Sequence, residues 1–119
     1  MSQFEGIEVL DYSGPNYKAL MAFGSWRVAF LNHGDKFAPE RPERLERHLE
    51  TDEVFVLLDG SATLFAGKEM NPVKMERFRI YNVKRGVWHQ IHTEPGTRCL
   101  IVENRDTSAD NSEYCEAQI

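Results

Sequence analysis

The sequence predicts an all-β protein, built as an antiparallel sandwich or barrel. Two observations lead to this prediction. Large apolar residues alternate with other residues in several short segments, which is typical of half-buried strands. Turn-forming residues separate these segments at close and regular intervals, as they do in antiparallel sandwiches and barrels.

The predicted strands follow one another through most of the chain. They cover residues 26–30, 53–58, 61–65, 77–81, 87–92 and 97–103. Asp59 and Gly60 stand between the second and third of these strands. Because an Asp-Gly turn supplies the positive φ that a tight turn needs, this pair predicts a β-hairpin.

The other segments are less regular. Residues 39–42 are interpreted as a loop, and the charged residues that follow as mostly extended. The polar residues 104–113 predict a loop, which leads into a short final segment over 114–119. Cys99 lies in an apolar run and is interpreted as a core residue, and both Cys99 and Cys115 are expected to be free thiols.

The composition suits one soluble domain over residues 1–119. The chain has 41% hydrophobic and 28% charged residues, which is ordinary for a globular protein. Its formal net charge of −5 argues against binding to nucleic acid or to anionic membrane surfaces. The first six residues contain neither a basic region nor an apolar stretch, so we expect no secretory signal and a cytoplasmic location.

Histidine, glutamate and glycine recur at a spacing that resembles the two motifs of the cupin superfamily. The first motif, G-x5-H-x-H-x3-4-E-x6-G, matches at His48, Glu53 and Gly60. The second, G-x5-P-x-G-x2-H-x3-N, matches at Gly86 and His89. The resemblance covers about residues 43–103.

The sequence departs from these motifs at several positions. Glu46 stands where the first motif has its first histidine, Lys84 replaces the proline, and Thr93 replaces the asparagine. The leading glycine of the first motif is also missing.

The resemblance implies an antiparallel double-stranded β-helix, the jelly-roll barrel of cupins, with a divalent metal ion inside. It implies His48, Glu53 and His89 as metal ligands, and Glu46 as a fourth ligand. If Glu46 is not a ligand, it could serve as the catalytic general base, because a carboxylate near a cation can accept a proton. Imidazole and carboxylate ligands suit Fe, Mn, Zn or Ni.

The residues themselves support this interpretation in part. Glu53 shares a strand face with Phe55 and Leu57, so its carboxylate requires a metal ion or another cation if it is buried. His48 has an even number and Glu53 an odd one, so their side chains would point to opposite faces of one continuous strand. We therefore predict a turn or bulge at residues 50–52, which lets the two side chains converge. His92 has the opposite parity to His89 and is expected on the outer surface.

Structural roles are the alternatives for these residues. Glu53 could pair with Arg47, Arg79 or Arg85, and residues 46–53 could be a solvated, charge-rich face. His89 could be a core histidine that bonds a backbone carbonyl.

The leading functional hypothesis is a metal-dependent cupin enzyme that acts on a small polar metabolite, such as a sugar or carboxylic acid. Residues 86–89, Gly-Val-Trp-His, are similar to a tetrapeptide of ureidoglycolate lyases, which gives a narrower variant. The alternatives are a non-catalytic cupin that binds a small ligand, and an interaction module whose barrel is filled by side chains. Since open sheet edges need covering, we expect a homodimer.

Overall fold

The computed structural model describes residues 3–117, so the first two residues of the chain and the last two of the predicted final segment lie outside it. The strands are β1 (Gln3–Phe4), β2 (Ile7–Glu8), β3 (Asn16–Phe23), β4 (Trp26–Asn32), β5 (Arg44–His48), β6 (Glu53–Asp59), β7 (Ala62–Ala66), β8 (Asn71–Lys74), β9 (Ile80–Val83), β10 (His89–Thr93), β11 (Arg98–Asn104) and β12 (Ser112–Glu116). Single turns of 3-10 helix lie at Asp35–Phe37 and Ala109–Asn111.

Ten of the strands form two five-stranded antiparallel sheets, and β1 and β2 form a separate antiparallel pair. Sheet one has the order β12-β5-β10-β7-β8, and sheet two has the order β3-β4-β11-β6-β9. From β8 to β12 each successive strand lies in the other sheet, so the chain winds around the space between them. The predicted antiparallel jelly roll is confirmed.

The core lies between the sheets and follows from the period of two. Along β6 the side chains of Glu53, Phe55 and Leu57 are buried, and those between them are half-buried. Ile101 on β11 and Ile91 on β10 add apolar side chains from the same sheet and from the facing one. This alternation turns one face of each sheet inward, which is the physical basis of the sequence prediction.

The predicted hairpin at Asp59 and Gly60 is wrong. β6 pairs with β11 and β9, whereas β7 pairs with β10 and β8, so the turn carries the chain from sheet two to sheet one. Gly60 has a φ of +82°, and a Cβ there would lie 2.5 Å from Thr97 Cα. The positive φ was predicted correctly, but it belongs to a turn between the sheets, where the Thr97 backbone also leaves no room for a side chain.

The predicted strand at 77–81 is only partly correct. β9 begins at Ile80, because Phe78 has a φ of +68°, outside the β region. The Phe78 N–H donates a hydrogen bond of 2.9 Å to the Leu57 carbonyl. The alternating pattern therefore continues through a turn that local sequence does not mark.

The end of the chain also differs from the prediction. The loop expected over 104–113 contains a 3-10 turn at its centre, capped by reciprocal bonds of Ser108 and Asn111, and it ends where β12 begins at Ser112. β12 pairs along the whole of β5 as an edge strand of sheet one. Polar residues are tolerated there because one side of an edge strand faces solvent.

Two further predictions can be compared with the structure. Cys99 is fully buried in the core, and Cys99 and Cys115 are both free. Within residues 3–117, no helix has the length and apolar character needed to span a membrane.

Candidate metal centre

A cavity of about 210 Å³ opens between the two sheets. Its lining includes Glu46, His48, Glu53 and His89, which the sequence singled out. The barrel is therefore not filled by side chains, which argues against the interaction module.

Strands of both sheets position these four side chains. Glu46 and His48 lie on β5, and Glu46 is directly opposite His89, the first residue of β10, in sheet one. Glu53 is the first residue of β6, in sheet two. The turn predicted at residues 50–52 belongs to the loop that carries the chain between the sheets, so the imidazoles and the carboxylate approach from facing walls.

One carboxylate oxygen is the centre of the cluster. Glu53 Oε1 lies 3.0 Å from His48 Nε2 and 3.1 Å from His89 Nε2. Glu46 Oε1 lies 4.0 Å from His48 Nε2. One potential ligand atom from each of the four residues lies within 4.8 Å of all the others.

The cluster is buried, so its charges depend on one another. Glu53 is 5% exposed, His48 8% and His89 2%. Burial would raise the pKa of Glu53, but the hydrogen bonds from the two imidazoles outweigh burial and lower it. Burial lowers the pKa of each imidazole, but the hydrogen bond and the charge of Glu53 outweigh burial and raise it.

The outer nitrogens of the two imidazoles are also bonded. His89 Nδ1 lies 2.9 Å from the Val87 carbonyl, and His48 Nδ1 lies 2.8 Å from Ser112 Oγ. Because a carbonyl only accepts, His89 Nδ1 carries a proton. A neutral His89 then directs the lone pair of Nε2 at the Glu53 carboxylate.

This arrangement fits a metal ion. The lone pair of His89 and the carboxylate of Glu53 repel each other unless His89 is protonated or a cation lies at the cluster. Backbone and hydroxyl partners on the outer nitrogen are the usual way in which metal-binding imidazoles are oriented. The 3.0 and 3.1 Å separations also match adjacent ligands that each lie ~2.1 Å from one ion.

Glu46 borders the cluster and is more accessible than the other three side chains. Its side chain is 29% exposed. The carboxylate therefore reaches both the imidazoles and the open cavity. The predicted roles of Glu46 as base and of the other three as ligands stay predictions.

Among the described residues, Glu53 does not form the ion pairs with arginine that were the structural alternative to metal binding. Arg47 pairs with Glu113, and Arg79 pairs with Glu76. The Glu53 carboxylate bonds only the two imidazoles among the described residues. The carbonyl bond expected for a core His89 exists, but it uses the nitrogen that faces away from Glu53.

His92 corrects one prediction. Its side chain does point away from the cavity, but it is buried rather than on the outer surface. The segment before β5 covers it, and His92 Nδ1 lies 3.0 Å from the Pro39 carbonyl.

The sequence analysis missed a second polar network in the same cavity. Glu103 Oε2 accepts hydrogen bonds from the Tyr17 hydroxyl at 2.6 Å and from Arg27 Nη2 at 2.9 Å. Glu103 lies beside Glu53 on the adjacent strand, in the same register. The sequence did hold a sign of this position. Glu103 alternates along β11 with Cys99 and Ile101, and those core residues define the face of the strand that points inward.

Environment also shifts the pKa values in this network. Burial, then the bond to Glu103, raises the pKa of Tyr17, so the phenol keeps its proton. Burial and the charge of Glu53 raise the pKa of Glu103, although Tyr17 and Arg27 oppose them.

Comparison with known proteins identifies the fold. No protein-family model matches the sequence, and no curated protein matches it. The structure of Pac13 from Streptomyces, described as a nucleoside dehydratase, matches with a TM-score of 0.63 and 6% identity, over 91% of this chain and 85% of Pac13. A cupin-2 domain protein of Shewanella frigidimarina matches with a TM-score of 0.60 and 15% identity, over 79% of this chain and 85% of that protein.

A protein of Planctomyces limnophilus gives a TM-score of 0.61 and 16% identity, over 89% of this chain and 95% of that protein. At such low sequence identity, the matches show a shared fold and not a shared activity. The two antiparallel sheets, the winding between them and these matches lead to one conclusion. The protein has the cupin fold.

Proposed function

We propose that this protein is a metal-dependent enzyme that acts on a small polar metabolite, such as a sugar or carboxylic acid. One observation carries the proposal: two buried imidazoles direct their Nε2 atoms at one carboxylate oxygen inside a cavity. An unpaired buried carboxylate is costly, and a bound divalent cation would be its natural partner.

In this proposal His48, Glu53 and His89 bind the ion, which is Fe, Mn, Zn or Ni. The ion would supply Lewis acidity, polarising a carbonyl or hydroxyl of the substrate. Ser112 and the Val87 carbonyl keep the two imidazole rings oriented. The sheets on either side limit access of water to the cluster.

Glu46 serves as the general base. Its carboxylate is near the other cluster atoms yet partly open to the cavity. A substrate bound in the cavity therefore lies within reach of Glu46 Oε1, which accepts a proton from it.

A non-catalytic cupin that binds a small ligand is the second candidate. Glu46 occupies the position of a motif histidine, which favours this candidate if the ion is absent. The narrower ureidoglycolate-lyase-like variant rests on residues 86–89 alone, and one of these, Gly86, has a structural role in the turn before β10. Gly86, with a φ of +82°, donates its N–H to the His48 carbonyl at 2.8 Å before β10 begins.

Metal analysis of protein purified without chelator or a metal-affinity tag tests the proposal. We expect near-stoichiometric metal in the natural chain and in His33→Ala, a control histidine that does not line the cavity. His48→Ala and His89→Ala should lose the metal. A folded natural chain that binds no added Fe, Mn, Zn or Ni would refute metal dependence and leave the ligand-binding cupin.

We also propose that two copies of the chain associate through the edge of sheet two. Ile80 on the edge strand β9 is 74% exposed, and Phe78 beside it is 72% exposed. Sedimentation analysis should give a dimer that Ile80→Lys dissociates. Ile7→Lys is the control, because Ile7 is 65% exposed on the separate β1-β2 pair and should have no effect. A natural chain that sediments as a monomer would contradict this proposal.

A further inference from the structure

The Tyr17–Arg27–Glu103 network has an unused acceptor. Its bonds to Tyr17 and Arg27 all reach Glu103 Oε2, and none from the described residues reaches Oε1. Glu103 is only 6% exposed. Oε1 therefore keeps acceptor capacity that none of the described side chains uses.

A molecule bound in the cavity can supply the donor that this oxygen lacks. Among the described residues, Asn16 Oδ1 is the only fully enclosed side-chain oxygen or nitrogen without a hydrogen bond, so Glu103 Oε1 reaches open space. Glu103 and Tyr17 both line the cavity that holds the proposed metal ligands. Tyr17 donates its single proton to Glu103, so the phenolic oxygen also presents only acceptor capacity to the cavity.

Two neighbouring acceptors select a hydrogen-bond donor. A substrate hydroxyl is a donor that costs little to bring from water, and it can bond Glu103 Oε1 or Tyr17 Oη. Arg27 contacts Glu103 through Nε at 3.2 Å and Nη2 at 2.9 Å, and it bonds the Arg105 carbonyl through Nη1. Arg27 is therefore a positioning residue that fixes the carboxylate.

The charges around the cavity indicate the other end of the substrate. The ionised side chains that line it are Arg27, Lys36, Arg44, Glu46, Glu53 and Glu103. These three cations and three anions balance, so a divalent ion bound by neutral imidazoles leaves an excess of two positive charges. A substrate carboxylate would offset half of this excess, so the cavity favours an anionic substrate group.

The size of the cavity limits the substrate. Its volume of about 210 Å³ is below the ~300–1,000 Å³ that is usual for sites of drug-sized ligands. We propose that the substrate is a short-chain hydroxy acid, whose carboxylate lies toward the metal cluster and whose terminal hydroxyl is bound by Glu103 and Tyr17. The hydroxyl subsite stands by itself, whereas the carboxylate end rests on the proposed metal function.

Binding of glycerate, lactate and glycerol to the full-length chain loaded with Ni²⁺ tests this proposal. Lactate lacks the terminal hydroxyl of glycerate, and glycerol lacks the carboxylate. We expect calorimetry to give glycerate about tenfold tighter binding than lactate, as one well-made hydrogen bond allows. Glycerol should bind more weakly than either acid.

Tyr17→Phe and Glu103→Gln should each reduce the preference for glycerate over lactate to about twofold or less. Tyr12→Phe is the matched control, because the Tyr12 hydroxyl bonds the Pro15 carbonyl outside the cavity and its loss should leave the preference unchanged. If Tyr17→Phe does not fold, Glu103→Gln carries the test. In that variant an amide donor faces the substrate hydroxyl, while the shape of the side chain is kept.

The outcomes separate the two proposals. A chain that binds Ni²⁺ but does not prefer glycerate over lactate, or keeps this preference in both variants, overturns the hydroxyl subsite and leaves the metal function intact. A chain that binds no metal but still prefers glycerate, and loses this preference in Tyr17→Phe, supports the subsite and overturns the metal function. Binding of neither metal nor glycerate overturns both.

Discussion

Replacing Glu53 by glutamine tests the electrostatics of the buried cluster. In metal-free protein the carboxylate accepts hydrogen bonds from His48 and His89. Glutamine keeps the shape and an acceptor but removes the charge. Hydrogen bonds to charged groups contribute about 1.5–3 kcal/mol each, and neutral ones about 0.5–1.5 kcal/mol. The exchange should therefore lower the free energy of unfolding by roughly 2–3 kcal/mol when the cluster is ionised.

The loss should depend on pH in a defined way. The pKa of Glu53 is lowered in the folded state, so its contribution is present above the unfolded pKa of ~4.3 and disappears as pH falls through the folded pKa. The imidazole pKa values of His48 and His89 are raised, so their contribution is present below ~6.5 and disappears as pH rises through the folded values. Glu53→Gln should therefore cost most between about pH 4.5 and 6.5.

Urea unfolding in the presence of a chelator, repeated between pH 3 and 9, measures this effect. Glu113→Gln is a matched control, because Glu113 pairs with Arg47 in an exposed ion pair that contributes at most about 1 kcal/mol. A loss in Glu53→Gln that is the same at every pH, or no larger than that in the control, would refute the reasoning.

Two further predictions concern the core and the turns. A thiol reagent should modify Cys115 in the folded protein but Cys99 only after unfolding, because burial raises the pKa of the Cys99 thiol to about 12; equal rates would contradict its placement in the core. Gly60→Ala should cost about 1–3 kcal/mol more than Gly24→Ala in thermal unfolding, since both have positive φ but only Gly60 approaches the Thr97 backbone. Equal losses would contradict that close approach.

Several strands, although not β3 or β8, and the residues of the cluster could be predicted from sequence, because they depend on local pattern and on a known spacing. An alternating pattern identifies β6 as a strand, whichever strands it pairs with. The spacing of His48, Glu53 and His89 is the basis of the cupin resemblance. Which strands pair is set by the winding of the barrel. The Asp59-Gly60 turn therefore resembled a hairpin although it connects two sheets.

The second network could not be predicted for a different reason. Tyr17 and Glu103 are 86 positions apart, and neither lies in a recognised motif. Only the closed barrel brings β3 and β11 into one wall, with β4 between them. Such a pairing leaves no periodic or spacing signal in a single sequence.

The edge strand β12 makes the last described part of the chain a determinant of chemistry far away in sequence. Ser112 contacts the His48 ring from outside, so a change at this serine would remove the hydrogen-bond partner of His48 Nδ1. If the proposed metal function holds, substitutions on this edge strand would change the orientation of a ligand, and so the metal affinity, without replacing the ligand itself.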